Sequence, residues 1–149
     1  MKITVDMLRS HFACDDQLEA FIREFPEGTP ETMGAALAAA ERVDRIFDWY
    51  WAAEKLLSPA ARDAYLRAAG SARATCIRAR EAARTAHGRA LTGISDTFVR
   101  ATTEIRWAEY QRALDAAWAD YRRAKAVAEA NYRRAHARAF VKAWFGVPQ

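Results

Sequence analysis

The chain is expected to be all-α: a small N-terminal helical head packed on a long helical repeat region, the repeats folding as an antiparallel helical hairpin. Three observations carry this expectation. A phrase of one ring residue or its stand-in, any residue, Arg and Ala recurs seven times, from Tyr65, Cys76, His87, Phe98, Tyr110, Tyr121 and Tyr132. Successive starts lie 11 residues apart, with one step of 12 between Phe98 and Tyr110. About 11 residues make three turns of α-helix, so each phrase returns to nearly the same face. Proline is absent between Ala60 and Trp144, as an uninterrupted helix requires. The region before Ser58 is instead divided into short apolar-periodic stretches by cap and proline signals.

Taken in order, Thr4 is placed to cap VDMLRSHFA, where Val5, Leu8 and Phe12 keep a 3–4 spacing. Asp15 or Asp16 is placed to cap QLEAFIREF, with Leu18, Phe21, Ile22 and Phe25 on one face. PEGT forms a turn in which Pro26 stops the helix and Gly28 accepts a positive φ. Thr29 as N-cap and Pro30 at the first helical position restart a helix through MGAALAAAERV. A fourth helix is expected over RIFDWYWAAEKLL. At most three of its clustered rings Phe47, Trp49, Tyr50 and Trp51 can face inward, which leaves one exposed. Ser58-Pro59 repeats the cap-then-proline signal and opens the repeats.

Within the repeats the ring position, the Ala at +3 and the residue at +7 span about 60° of a helix and define an expected seam. Alanine fills +3 at Ala68, Ala79, Ala90, Ala101, Ala113, Ala124 and Ala135. The repeated Arg at +2 lies about 200° from the ring and points away. Gly88 and Gly93, followed by Ser95-Asp96, predict a break around 88–95; a single helix pairing between chains is the alternative. By composition the chain divides into an acidic head, 1–57, and a basic Ala/Arg/aromatic repeat region, 58–149. Residues 1–58 hold six Lys/Arg against eleven Asp/Glu, net −5, and residues 59–149 hold seventeen against eight, net +9.

The head segments MLRSHFAC, FIREFPEGTPET, AALAAAE and DWYWAAEKLLSPAARDAY resemble a module of uncharacterised bacterial and phage-associated proteins. There a similar head precedes tandem Ala/Tyr-rich 11-residue repeats. The resemblance spans most of the chain and brings no assigned activity. Those proteins often carry Ala-Pro inside the repeat; this chain has none, which favours smoother helices.

Catalysis finds little footing. His11, His87 and His136 are scattered, and there is no Gly-rich phosphate loop, GxSxG, HExxH or DxDxDG. His11 and Cys14, three apart, make two metal ligands without a second pair; His87 and Cys76 occupy ring positions of the seam. No enzyme, cofactor or metal is expected. Cys14 and Cys76 read as free thiols of a reducing cytoplasm. MKITVDMLRS lacks an apolar signal core, and no run reaches the ~18 apolar residues of a membrane span.

Binding is better supported. Arg67, Arg78, Arg89, Arg100, Arg112, Arg123 and Arg134 form a stripe that Arg122 and Arg133 thicken, suited to phosphates in a salt-sensitive way. Glu81, Glu104, Glu109, Asp115, Asp120 and Glu129 are spaced to pair with these arginines as an ordinary solvated face, and a GC-rich genome enriches Arg and Ala without function. Trp107 and Trp118, with Phe140 two periods on, form a second line, either partner-binding or closing the core. The expected function is a non-enzymatic interaction protein, phage or mobile-element encoded. It would occlude a host protein or nucleoprotein complex, as anti-CRISPR and other anti-defence inhibitors do. The alternatives are non-specific nucleic-acid binding by the Arg stripe and a coiled-coil scaffold, a homo-oligomer in which one acidic head docks on another basic tail.

Overall fold

A computed structural model describes residues 2–43, 47–98 and 104–146. The described residues form six helices and no strand: α1 (Val5–Ser10), α2 (Asp15–Glu24), α3 (Met33–Arg42), α4 (Trp49–Leu56), α5 (Pro59–Phe98) and α6 (Glu104–Gly146). The fold is all-α. The chain groups into two compact units, one of Met1–Arg73 with Tyr132–Gln149 and one of Ala74–Asn131. This spatial grouping cuts across the compositional division at residue 57.

Local chemistry sets the head helices. Thr4 caps α1, its side chain accepting from the Met7 amide. Asp48 caps α4 by accepting from the Tyr50 and Trp51 amides, both at 3.0 Å, and α5 begins at Pro59. Two expected caps are displaced. α2 starts at Asp15, so Asp15 and Asp16 sit inside its first turn, where their charge favours the positive helix end, and Cys14 is the cap residue without a side-chain bond. α3 starts at Met33, capped by Thr32, not Thr29. Thr29 instead clasps the N-terminal segment. Its hydroxyl accepts from the Ile3 amide at 2.9 Å while its own amide donates to the Ile3 carbonyl at 3.0 Å. That clasp brings the start of the chain against the PEGT turn. Gly28, at φ 84°, is needed there because a Cβ would sit 2.8 Å from the Ile3 carbonyl oxygen.

The first unit holds the large core. The α6 end is apolar over most of its circumference, with Ala137, Ala139, Phe140, Val141, Ala143 and Trp144 buried, and its one solvent-facing edge carries Arg138 and Lys142. Phe140 meets Trp49 at 5.4 Å between ring centres, and Phe21, Phe25 and Phe47 continue the aromatic packing. Burying a side chain the size of Phe140 contributes about 2–3 kcal/mol. On the rim Arg138 binds Glu41 through Nε at 2.9 Å and through Nη2, a tie between basic tail and acidic head. Tyr50 is the exposed ring of the 47–51 cluster. Ile22, expected inside, is exposed. Phe12 is also a correction: at φ 61° it leaves α1 and stands 92% exposed.

The second unit pairs α5 with α6 antiparallel. Phe98 meets Tyr110 at 5.6 Å, while His87, earlier in α5, meets Trp118 and Tyr121, later in α6. The expected break at 88–95 is absent: α5 runs through Gly88, Gly93, Ser95 and Asp96 to Phe98. The Thr92 and Thr97 hydroxyls donate to the Gly88 and Gly93 carbonyls at 3.1 and 2.7 Å, and half-buried Leu91, Ile94 and Phe98 extend the packed face past both glycines.

The seam leans toward +4. Of the +3 alanines, Ala68, Ala79, Ala90 and Ala124 are exposed, Ala113 and Ala135 are half-buried, and Ala101 lies outside the described residues. The described ring, +4 and +7 residues are buried or half-buried apart from Arg80. Both choices span about 60°. The +4 position wins because it carries Leu91, Leu114 and His136, larger side chains than alanine, so turning that way removes more surface from water.

Candidate interaction surface

The seam's turn fixes which residues face outward in the second unit. Trp107 and Trp118 each precede a ring residue by three positions, about 60° round the helix from it. They fall just beyond the seam edge and are 63% and 49% exposed. Neither ring is loose. Trp107 stacks on Tyr110 at 5.4 Å, and Trp118 lies 4.6 Å from His87 and 5.9 Å from Tyr121. The His87 Nδ1 is in turn 3.2 Å from the Ala117 carbonyl oxygen. Each indole therefore has one edge held and the other in water. Two periods beyond Trp118, Phe140 occupies the equivalent position and is only 3% exposed, because α4 covers it with Trp49. The expected line of three rings is thus divided: Phe140 closes a core, while Trp107 and Trp118 stand uncovered among the described residues.

The repeated arginines lie outward as expected wherever they are described. Arg67, Arg78, Arg89, Arg112, Arg123 and Arg134 are exposed, as is Arg122; Arg100 lies outside the described residues. Arg133 departs from the stripe, being half-buried with its Nε enclosed and unbonded. Among the described residues of the second unit, Asp120 pairs with Arg123 at 3.7 Å and Glu129 with Lys125 at 3.8 Å. Arg78 spends its guanidinium on the Thr75 hydroxyl and Arg112 its Nε on the Ala108 carbonyl. Arg122 lies about 60° from the Trp107 direction, whereas Arg112 and Arg123 lie about 140–160° away. The candidate residues therefore split into an indole face edged by Arg122 and a separate Arg face. Arg67, Arg133 and Arg134 belong to the first unit and the other described candidates to the second.

The first unit contains a polar cluster that sequence reasoning passed over. The Tyr65 hydroxyl is 3.0 Å from His136 Nδ1, and the two side chains are 0% and 5% exposed. Tyr50 and Tyr132 close on the same imidazole at 5.1 and 4.5 Å. Burial raises the Tyr65 phenol above its usual value, with Tyr50, Tyr132 and Asp48 adding to the shift, and burial lowers His136. The phenol and the neutral imidazole therefore share one hydrogen bond at Nδ1, its direction set by the tautomer, and the remaining ring nitrogen is Nε2. That Nε2 is buried without a partner. Enclosure suits a structural tie rather than chemistry on a solute. The usable signal was His136 at +4, the place of Ala69 and Leu114, on the seam.

His11 and Cys14 are exposed, and among the described residues no three His, Cys, Asp or Glu side chains gather as a metal would need. No helix of the described residues is long and apolar enough to cross a membrane. No known protein family, curated protein or solved structure matches the chain.

Proposed function

We propose that this is a non-enzymatic interaction protein that docks on another protein through the α6 face of Trp107 and Trp118. The observation that supports it is the pair of half-anchored, half-exposed indoles 11 residues apart. Large rigid rings fixed on one side lose little freedom on binding, and Trp with flanking Arg is the composition of binding hot spots. Phe140 supplies the internal precedent, since the same register is covered by an aromatic residue of the head. The resemblance to phage-associated proteins gives the proposal its finer form: the partner is a host protein or nucleoprotein complex, and binding occludes its working surface, in the manner of an anti-CRISPR or other anti-defence inhibitor.

The test is capture by the tagged protein from nuclease-treated bacterial lysate, run beside a W107A/W118A variant. A defined protein held by the wild type and weakened about tenfold or more in the variant is expected. Equal retention by both would overturn the proposal.

A second reading is supported by the exposure of Arg112 and Arg123 on the Arg face: direct, sequence-tolerant binding of nucleic acid. It requires affinity that falls steeply with salt and is weakened by neutral replacement of Arg112, Arg123 and Arg134. Unchanged binding by that triple variant would exclude this face.

A further inference from the structure

The seam of the second unit opens at Arg80. This side chain holds a +4 position, and among the described ring, +4 and +7 residues it is the exposed one. A guanidinium stays charged and would lose its hydration inside an apolar seam, so it keeps to water and the packed faces part beside it. The space left is a groove of about 230 Å³ lined by Ile77, Arg80, Glu81, Arg84 and Tyr121, all of them in the second unit. The four residues from α5 lie within about 100° of one helix face. Arg80 and Arg84 are both exposed and stand one turn apart, which places their Cβ atoms about 5–6 Å from each other. Two guanidiniums at that spacing repel, and a single carboxylate between them can accept from both. Ile77 and Tyr121 supply the apolar part of the lining. Ile77 is 44% exposed, so a ligand that covers it removes apolar surface from water. Tyr121 is a half-buried wall held in place by stacking on His87 at 5.1 Å.

We propose that this groove binds a small organic monocarboxylate, its carboxylate accepting from Arg80 and Arg84 and its apolar body lying against Ile77 and Tyr121. Size sets the body. A cavity of about 150 Å³ holds benzene, so the groove has room for a six-carbon ring and a short carboxylate arm. Charge sets the anion. Arg80, Arg84 and Glu81 together leave one net positive charge in the lining. One carboxylate brings that to neutrality, whereas a phosphate monoester, at about −1.5 to −2 near pH 7, would leave it negative. The site stands apart from the docking of Trp107 and Trp118 and does not depend on it.

Phenylacetate is the probe, with 2-phenylethanol as a neutral body of similar size and phenyl phosphate as the more highly charged anion. Binding is read from the backbone amides of residues 77–84 and the Tyr121 ring in heteronuclear spectra of the full chain. Phenylacetate should shift these signals saturably, with a dissociation constant of about 1 mM. The alcohol should bind about tenfold more weakly, having lost the charge-assisted bonds, and phenyl phosphate should bind no more tightly than phenylacetate. Arg80→Gln and Arg84→Gln put a good helix former at exposed positions, and each should weaken phenylacetate about fivefold. Arg62→Gln makes the same charge change in the first unit and should leave the affinity unchanged. Glu81→Gln removes the opposing charge and should tighten binding about two- to threefold. The proposal is overturned by shifts that fail to saturate, by equal affinity for acid and alcohol, by tighter binding of phenyl phosphate, by undiminished binding in either groove Arg variant, or by weaker binding in Glu81→Gln.

Discussion

His136 shows how one buried group ties stability to pH. Burial lowers its folded-state pKa below the ordinary 6.5. Above that value the imidazole is neutral whether the chain is folded or not. As pH falls below it, the unfolded chain takes up the proton first, so the folded state loses stability until its own lower pKa is passed. Denaturant midpoints should fall between pH 7 and pH 5 in the wild type, and His136→Gln should flatten that fall. An unchanged slope would assign the loss to other groups. Tyr65→Phe acts on the same pair by a different route. It leaves His136 Nδ1 buried without its 3.0 Å partner and should destabilise by about 1–3 kcal/mol in chemical denaturation. Phe12 works in the opposite direction. Its ring is 92% exposed and its φ of 61° is poorly tolerated by a side chain. Phe12→Asn should therefore raise stability by up to about 1 kcal/mol; a loss would mean that the exposed ring makes a contact in solution.

Within helix α5, Gly88 and Gly93 are the informative positions. A Cβ at either would meet nothing within 4 Å, and both lie inside a continuous helix. Gly88→Ala and Gly93→Ala should each stabilise by about 0.5–1 kcal/mol, read as a rise in Tm. A drop would show that the glycines are required for bending. The same stretch explains what the sequence could and could not reveal. Helical periodicity, the Thr4 cap and the Ser58-Pro59 start are local facts, and local chemistry settled them. The glycine break misled because intrinsic propensity near 1 kcal/mol per residue is outweighed by seam residues that continue beyond it. The +3 seam misled because a 60° arc can be drawn on either side of the ring position, and only the packed partner helix chooses between Ala and Leu. Exposed Trp107 and Trp118 against buried Phe140 could not be told apart by period, since all three share one register. The difference is that α4 covers one of them, a contact 91 residues apart in sequence (Trp49 to Phe140).

Across the whole molecule, protection against unfolding should be uneven. The first unit surrounds the end of α6 with apolar side chains, whereas the described interior of the second rests on single faces of two helices around Ala83, Ala117 and Ala128. Amide hydrogen exchange should be slowest over Ala137–Trp144 and faster through 74–98 and 104–131, because local opening follows the amount of buried contact. Uniform protection of both units would contradict this division.

The first unit is assembled from Met1–Arg73 and Tyr132–Gln149, and that order has a consequence during synthesis. At about 5–20 residues per second, the stretch between those segments takes roughly 3–12 s to translate. Through that interval Phe21, Trp49 and Tyr65 have been synthesised while the helix end that seals them has not been made. The nascent head must stay soluble with its aromatic side chains bare, a window in which chaperones can hold it and proteases can reach it, and folding closes only when the last repeat arrives.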